Sequence, residues 1–159
     1  WHKEGYLHAA PGKSIDYDFV ARFLFDLFDK YEIEAIAFDR WNMKHLVPCL
    51  LRAGFSEDQV EAHFVEFGQG FQSISPALRT LEVELLEERL CHGGHPVLNM
   101  CAANAIVYQN TAGDRKLDKS KSTGRIDGMV ALAMAMATAA QHKENNEGTY
   151  LDYDDLMVL

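Results

Sequence analysis

The chain has 159 residues, 48% of them hydrophobic and 25% charged, which excludes a wholly disordered chain and suffices for one compact domain with a buried core. Its formal net charge of -9 at pH 7 excludes a protein that coats nucleic acid by charge alone, although a carboxylate cluster built to hold cations is itself acidic. The three cysteines, Cys49, Cys91 and Cys101, are odd in number and include no C-x-x-C pair, so neither a disulfide framework nor a cysteine zinc site is expected and a reducing cytoplasm fits.

The opening Trp1-His2-Lys3-Glu4 has no initiator Met and no signal-peptide pattern, and reads as an edge within a longer protein. Residues 6–9 form a short strand candidate ahead of Pro11-Gly12. Ser14 or Asp16 then caps a helix whose apolar face is Phe19, Val20, Phe23, Leu24, Leu27 and Phe28. Residues 33–38 are short, apolar and bounded by charges, as a buried strand is, and they end at Asp39. A helix over 41–53 turns Leu46, Val47, Leu50 and Leu51 inward, with Trp41 anchoring the turn into it, Cys49 on the apolar face and Gly54 as its stop.

Residues 63–67 are the next strand candidate, closed by Gly68-Gln69-Gly70. Ser75-Pro76 predicts a helix start, an N-cap followed by Pro at the first helical position, and the helix runs to about 90. Cys91-His92-Gly93-Gly94-His95-Pro96 is a turn; its two histidines lack further ligands at zinc spacing and are read as structural. A short helix over 97–104, a short strand over 105–109 and a polar, lysine-rich loop over 110–123 follow. The last helix spans about 126–142, with Met129, Met134 and Met136 as packing residues. Residues 144–159 carry Glu144, Glu147, Asp152, Asp154 and Asp155 with no Lys or Arg, and form an acidic, flexible tail distinct from the domain over 1–143. Tyr150, Leu151, Tyr153, Leu156, Met157 and Leu159 in that tail suggest a docking segment. Strands alternating with helices predict an α/β layer fold. No apolar run has the length of a membrane span.

Two aspartates stand out. Asp39 follows the C-terminal end of an apolar strand, the edge where open α/β sheets gather ligands and catalytic groups. Asp127 lies in the first turn of the last helix, where the helix dipole favours a carboxylate. Two carboxylates on rigid elements facing one edge suit Mg²⁺ or Mn²⁺, hard ions that prefer oxygen. Capping is the ordinary use of both residue types at such places, and the residues alone leave both uses open.

Five motifs occur in order. Lys121-Ser-Thr-Gly-Arg-Ile-Asp-Gly-Met-Val-Ala-Leu-Ala-Met-Ala135 resembles the C-terminal signature of terminase large subunits from long-tailed phages, and Ile36-Ala-Phe-Asp-Arg-Trp-Asn42 resembles the second acidic motif of the same nuclease domain. Phe67-Gly-Gln-Gly-Phe71 with Ser75-Pro76, His92-Gly-Gly-His-Pro-Val97 and Pro11-Gly-Lys-Ser-Ile-Asp-Tyr-Asp-Phe19 are similar to the family too, and the resemblance covers the chain to about Gln141.

The resemblance implies a ribonuclease H-like nuclease, here the C-terminal part of the domain and incomplete on its N-terminal side, with its first strands absent. It implies an acidic cluster binding two Mg²⁺ or Mn²⁺ ions for phosphodiester hydrolysis of concatemeric viral DNA. Asp39 matches the family's second catalytic aspartate and Asp127 its third. The first lies upstream, and Asp16 and Asp18 fall in a helix motif instead. The implied partners are double-stranded DNA and, through the full-length protein, the terminase small subunit and the portal, in the cytoplasm of a bacterial host. No nucleotide site is expected: Gly12-Lys13-Ser14 comes closest to a phosphate loop, but Leu7 stands where its first glycine belongs.

Lys116, Lys119, Lys121 and Arg125 precede Asp127 and can hold DNA phosphates or form a solvated loop. Arg40 can contact a phosphate or pair with a carboxylate. Two rival readings remain: a catalytically inactive prophage remnant that binds a partner, and another ribonuclease H-like enzyme such as a transposase or resolvase.

Overall fold

A computed structural model of the chain describes residues 1–40 and 43–154, with side chains of the last helix as far as Lys143. In chain order the elements are α1 (Tyr17–Lys30), β1 (Ile36–Phe38), α2 (Met43–Ala53), α3 (Glu57–His63), β2 (Phe64–Glu66), α4 (Phe71–Leu86), α5 (Pro96–Asn104), β3 (Val107–Gln109), β4 (Arg115–Leu117) and α6 (Asp127–Asp154).

α1 starts where the Asp16 carboxylate accepts from the Phe19 amide at 3.1 Å, satisfying one of the four amides a helix N-terminus leaves open. α2 ends at Gly54, whose φ of +121° is a conformation that side chains disfavour. β1 and β2 pair in parallel, Ile36 opposite Phe64 and Phe38 opposite Glu66, and α2 and α3 form the crossover that parallel pairing requires.

Alternation along β1 divides the interior. Ile36 and Phe38 pack against one cluster, Ala21, Cys49, Leu50, Phe55 and Phe64. Ala37 packs against the other, formed by Phe67, Ile74, Ala77, Leu78 and Leu81 with Ala133, Met134 and Ala137. The small parallel sheet thus lies between an α1–α2 layer and an α4–α6 layer. Met129 and Met136 pack on the second cluster and Cys49 is buried in the first, as expected.

Several expectations are corrected. Residues 6–9 form no strand: the Tyr6 amide donates to the Trp1 carbonyl at 2.9 Å and the His2 ring to the Leu7 carbonyl, and no strand among the described residues offers these residues a ladder. α3 is an added helix, begun by a capping box in which Ser56 and Gln59 satisfy each other's amides. α4 starts at Phe71 behind Gly70, not at Ser75. Burial of Ile74, Ala77, Leu78 and Leu81 draws the preceding turn into the helix. Ser75 is buried, its Oγ accepting from the Arg115 amide at 3.1 Å, and Pro76 forgoes the bond an amide there would give.

The strands form two separate two-stranded sheets, not one. The lysine-rich segment holds β4, antiparallel to β3. Arg115-Lys116-Leu117 has no apolar alternation, so turn chemistry sets the hairpin: Asn110 Oδ1 accepts from the Ala112 and Asp114 amides at 3.0 and 2.8 Å. α6 continues past His142 to Asp154. Trp41 and residues 155–159 lie outside the described residues, as do the side chains on which the tail-docking reading depends. No helix among the described residues is long and apolar enough to cross a membrane.

Candidate functional site

Asp39 follows the last residue of β1, exposed, at the C-terminal edge of the parallel pair. The Phe67 amide donates to the Phe38 carbonyl at 2.8 Å, which fixes the backbone on which Asp39 is carried. Asp39 borders two clefts. One, of about 470 Å³, is lined by Asp39, Gln69 and residues 116–120, with Ile74, Val130 and Ala133 as apolar lining. The second, of about 510 Å³, runs from Asp39 and Arg40 along Glu66 to Ser73. Arg40 Nη1 stands 3.7 Å from Glu66 Oε1 in an exposed ion pair.

Asp127 is the first residue of α6. Its place is fixed from behind. Ile126 is fully buried. Asn104, the last residue of α5, donates through Nδ2 to the Arg125 carbonyl at 3.2 Å and accepts at Oδ1 from the Thr123 hydroxyl at 3.1 Å. Glycine suits the close approach here, since a Cβ at Gly124 would lie 2.6 Å from Asn104 Nδ2 and force that side chain to shift. At Gly128 a Cβ would come within 3.1 Å of Cys101 Sγ, so α5 and α6 pack closely there.

The Asp127 carboxylate accepts from Lys119 Nζ at 2.7 Å. That hydrogen bond and charge, with Arg125 adding to the field, hold Asp127 below the usual carboxylate range against the opposing effect of burial. Lys119 also lines the cleft with Asp39. The structure therefore brings Asp39 and Lys119 to one cleft and ties Lys119 to Asp127, while Asp127 itself stands outside that cleft's lining. Lys116 and Lys121 lie over aromatic faces, 5.0 Å from the Phe71 and Tyr108 ring centroids respectively. Arg125 is exposed.

Asp118 is a residue that the pattern of the sequence did not single out. It lines the cleft with Asp39, and its Oδ1 accepts from Ser120 Oγ at 2.6 Å and the Ser120 amide at 2.9 Å. The Ser120 hydroxyl leads in holding it below the usual carboxylate range. The Asp118-x-Ser120 spacing of a side-chain turn is the signal for it in the sequence, obscured by the polar, lysine-rich composition of residues 110–123.

The two aspartates are hard oxygen donors on fixed element ends, and a cationic group already sits on one of them, so their chemistry fits a divalent ion. Among the described residues no group of three or more His, Cys, Asp or Glu is placed to hold a metal. His92 and His95 serve the turn: the Gly94 amide donates to His92 Nδ1 at 3.2 Å, and His95 meets the Tyr6 ring edge to face at 5.4 Å.

Residues 1–143 match the family profile described as terminase large subunit, endonuclease domain. The chain is 43% identical over 157 residues to the terminase large subunit of Enterobacteria phage HK97, covering 99% of this chain and 30% of that protein. The crystal structure of the HK97 bacteriophage large terminase aligns with a TM-score of 0.78 at 46% identity, over 87% of this chain and 28% of that one. The chain thus spans about 30% of the length of the curated relative it matches.

Proposed function

This chain belongs to the terminase large subunit endonuclease domain family, and from that premise we propose that it is the C-terminal part of a nuclease that cuts concatemeric viral DNA during phage genome packaging. The observation that carries the reading is the placement of Asp39 and Asp127, family-matching aspartates on two element ends, with Lys119 bonded to Asp127 and lining the cleft that Asp39 borders.

In this reading the α/β core is part of a ribonuclease H-like sheet whose remaining strands, and a third carboxylate, come from elsewhere in the full-length protein. Asp39 and Asp127 would hold Mg²⁺ or Mn²⁺, two ions in the complete domain. Bound there, the ions supply a water of lowered pKa and neutralise charge on the scissile phosphate. The chain's own groups do the positioning. Ile126 and Asn104 fix Asp127. With Asp127 engaged in holding a metal, Lys119 would be available to a DNA phosphate. Lys121 and Arg125 extend the phosphate-binding edge, and Arg40 joins it by exchanging Glu66 for a phosphate, a small loss for an exposed pair. No element among the described residues resembles a base-reading motif, which supports cutting with little sequence preference. Double-stranded DNA is the substrate, with the small subunit and portal as partners of the full-length protein in the host cytoplasm.

The test uses the chain joined to its native upstream residues. Mn²⁺ titration should bind the parent, and Asp39→Asn should weaken binding by tenfold or more, on the order expected when a metal site loses one of its supports, with plasmid nicking lost in parallel. Unchanged Mn²⁺ affinity in Asp39→Asn overturns the assignment. A non-catalytic, partner-binding reading draws on one observation: among the described residues no group of three or more His, Cys, Asp or Glu is placed to hold a metal.

A further inference from the structure

Resting on the reading that DNA is the substrate, we infer that Tyr108 and Phe71 form a stacking platform for unpaired nucleotides beside the Asp39 clefts, its ring faces covered by Lys121 and Lys116 until nucleic acid draws the lysines away. Tyr108 lies on β3, every residue of which is exposed. The strand's aromatic group therefore does not serve the core. The ring centroids of Tyr108 and Phe71 are 6.0 Å apart at 49°, and β3–β4 register sets Tyr108 opposite Lys116. Lys121 Nζ stands 5.0 Å from the Tyr108 centroid and Lys116 Nζ 5.0 Å from that of Phe71, so the two neighbouring rings lie along one edge with an ammonium over each.

That edge meets the candidate site twice. Lys116 lines the cleft shared by Asp39 and Lys119, and Phe71 lines the neighbouring cleft shared by Asp39 and Arg40. Charge points to an anionic occupant: residues 115–125 carry five Lys or Arg against one Asp, in a chain of net charge -9. Arg115 is engaged by Glu82 at 2.6 Å, which leaves the lysines to face the ligand.

An ammonium over an exposed ring is weakly held, and a phosphate is its stronger, charge-assisted partner. Moving the two lysines onto a backbone bares two ring faces at the same moment. Bases in a duplex offer their faces only to one another, whereas an unpaired base can lie on an aromatic ring whatever its sequence. The occupant is therefore a short unpaired DNA segment, as at a frayed or already nicked site, held next to Asp39.

The test is fluorescence anisotropy with the full-length protein in EDTA, using labelled dT12 and a 12-base-pair hairpin duplex. Tyr108→Leu keeps the bulk and removes the π face. It should weaken dT12 binding about 5- to 100-fold, the range seen when one stacking ring is lost, and change duplex binding less than about twofold; Tyr108→Phe should restore dT12 binding. Lys121→Gln should weaken both and flatten the salt dependence. Parent-like dT12 binding by Tyr108→Leu, or equal weakening on both DNAs, overturns the platform alone. A parent that binds neither DNA overturns the nuclease reading beneath it.

Discussion

Lys119 Nζ donates to Asp127 Oδ1 at 2.7 Å, and the same side chain lines the cleft that holds Asp39. The two partners are 63% and 62% exposed, so the pair is a weak contact in water. Its significance lies in its position: one flexible cation touches the surroundings of both aspartates, and it occupies a carboxylate that the proposed chemistry needs for a metal.

Replacing that cation should help the metal and hurt the cutting. Lys119→Gln is expected to raise Mn²⁺ affinity about two- to fivefold, in line with the small energy of an exposed pair. It should lower the nicking rate, because a phosphate contact is lost. Isothermal titration with Mn²⁺ beside a plasmid assay measures both; weaker metal binding in Lys119→Gln would show that the lysine supports the site and does not compete for it.

The pair also sets a pH dependence. Because Lys119 depresses the folded-state pKa of Asp127, the contribution to stability is present above the unfolded value of about 3.9 and is lost as pH falls through the lower folded value. The carboxyl carbon of Asp127, followed by NMR, should titrate below an ordinary aspartate. In Lys119→Gln its midpoint should move up, and the stability difference between the two proteins should vanish in acid. A midpoint unmoved by the substitution contradicts the cause assigned here.

Asn104 and Gly124 form a second coupled pair. Asn104→Ala removes the bonds to Arg125 and Thr123 and is expected to destabilise by about 1–2 kcal/mol, two hydrogen bonds of ordinary worth. Gly124→Ala pushes a methyl into Asn104 and should cost a similar amount, about 1–2 kcal/mol. The double variant should be less destabilised than the sum, because removing Asn104 makes room for the methyl. Urea denaturation of the four proteins gives the coupling, and strict additivity would mean that the close contact is not felt.

Ser75→Ala removes the acceptor for the Arg115 amide and leaves that N–H without its partner. A loss of about 1–3 kcal/mol is expected, with amide exchange at Arg115 faster than that of the α4 interior. Unchanged exchange at Arg115 would show that Ser75 does not hold the hairpin to α4.

Legibility in the sequence followed the strength of local signals. Asp16 and the apolar stripe after it placed α1, and Gly54 placed the end of α2. The positions of Asp39 just after β1 and of Asp127 at the start of α6 are legible, because each adjoins an apolar element whose boundary is sharp. The β3–β4 hairpin was not legible. Its strands are three residues each and largely polar, and its geometry comes from the Asn110 side chain and the Ser75–Arg115 bond, a contact forty residues apart. Asp118 follows β4 directly and shares that weakness of signal. The Ser75-Pro76 signal was real chemistry overruled by packing: burial of one face of α4 outweighs a favourable N-cap and tolerates a proline inside the helix. How the aspartates relate through Lys119 is a tertiary fact that spacing along the chain does not encode.

Nicking of supercoiled plasmid in Mn²⁺ tests the central claim most directly, comparing the chain joined to its native upstream residues with the same protein carrying Asp127→Asn. The account predicts cleavage by the parent and its loss in the variant, with the variant folded as judged by its melting curve. Equal cleavage by both, or none by the folded parent, would contradict it.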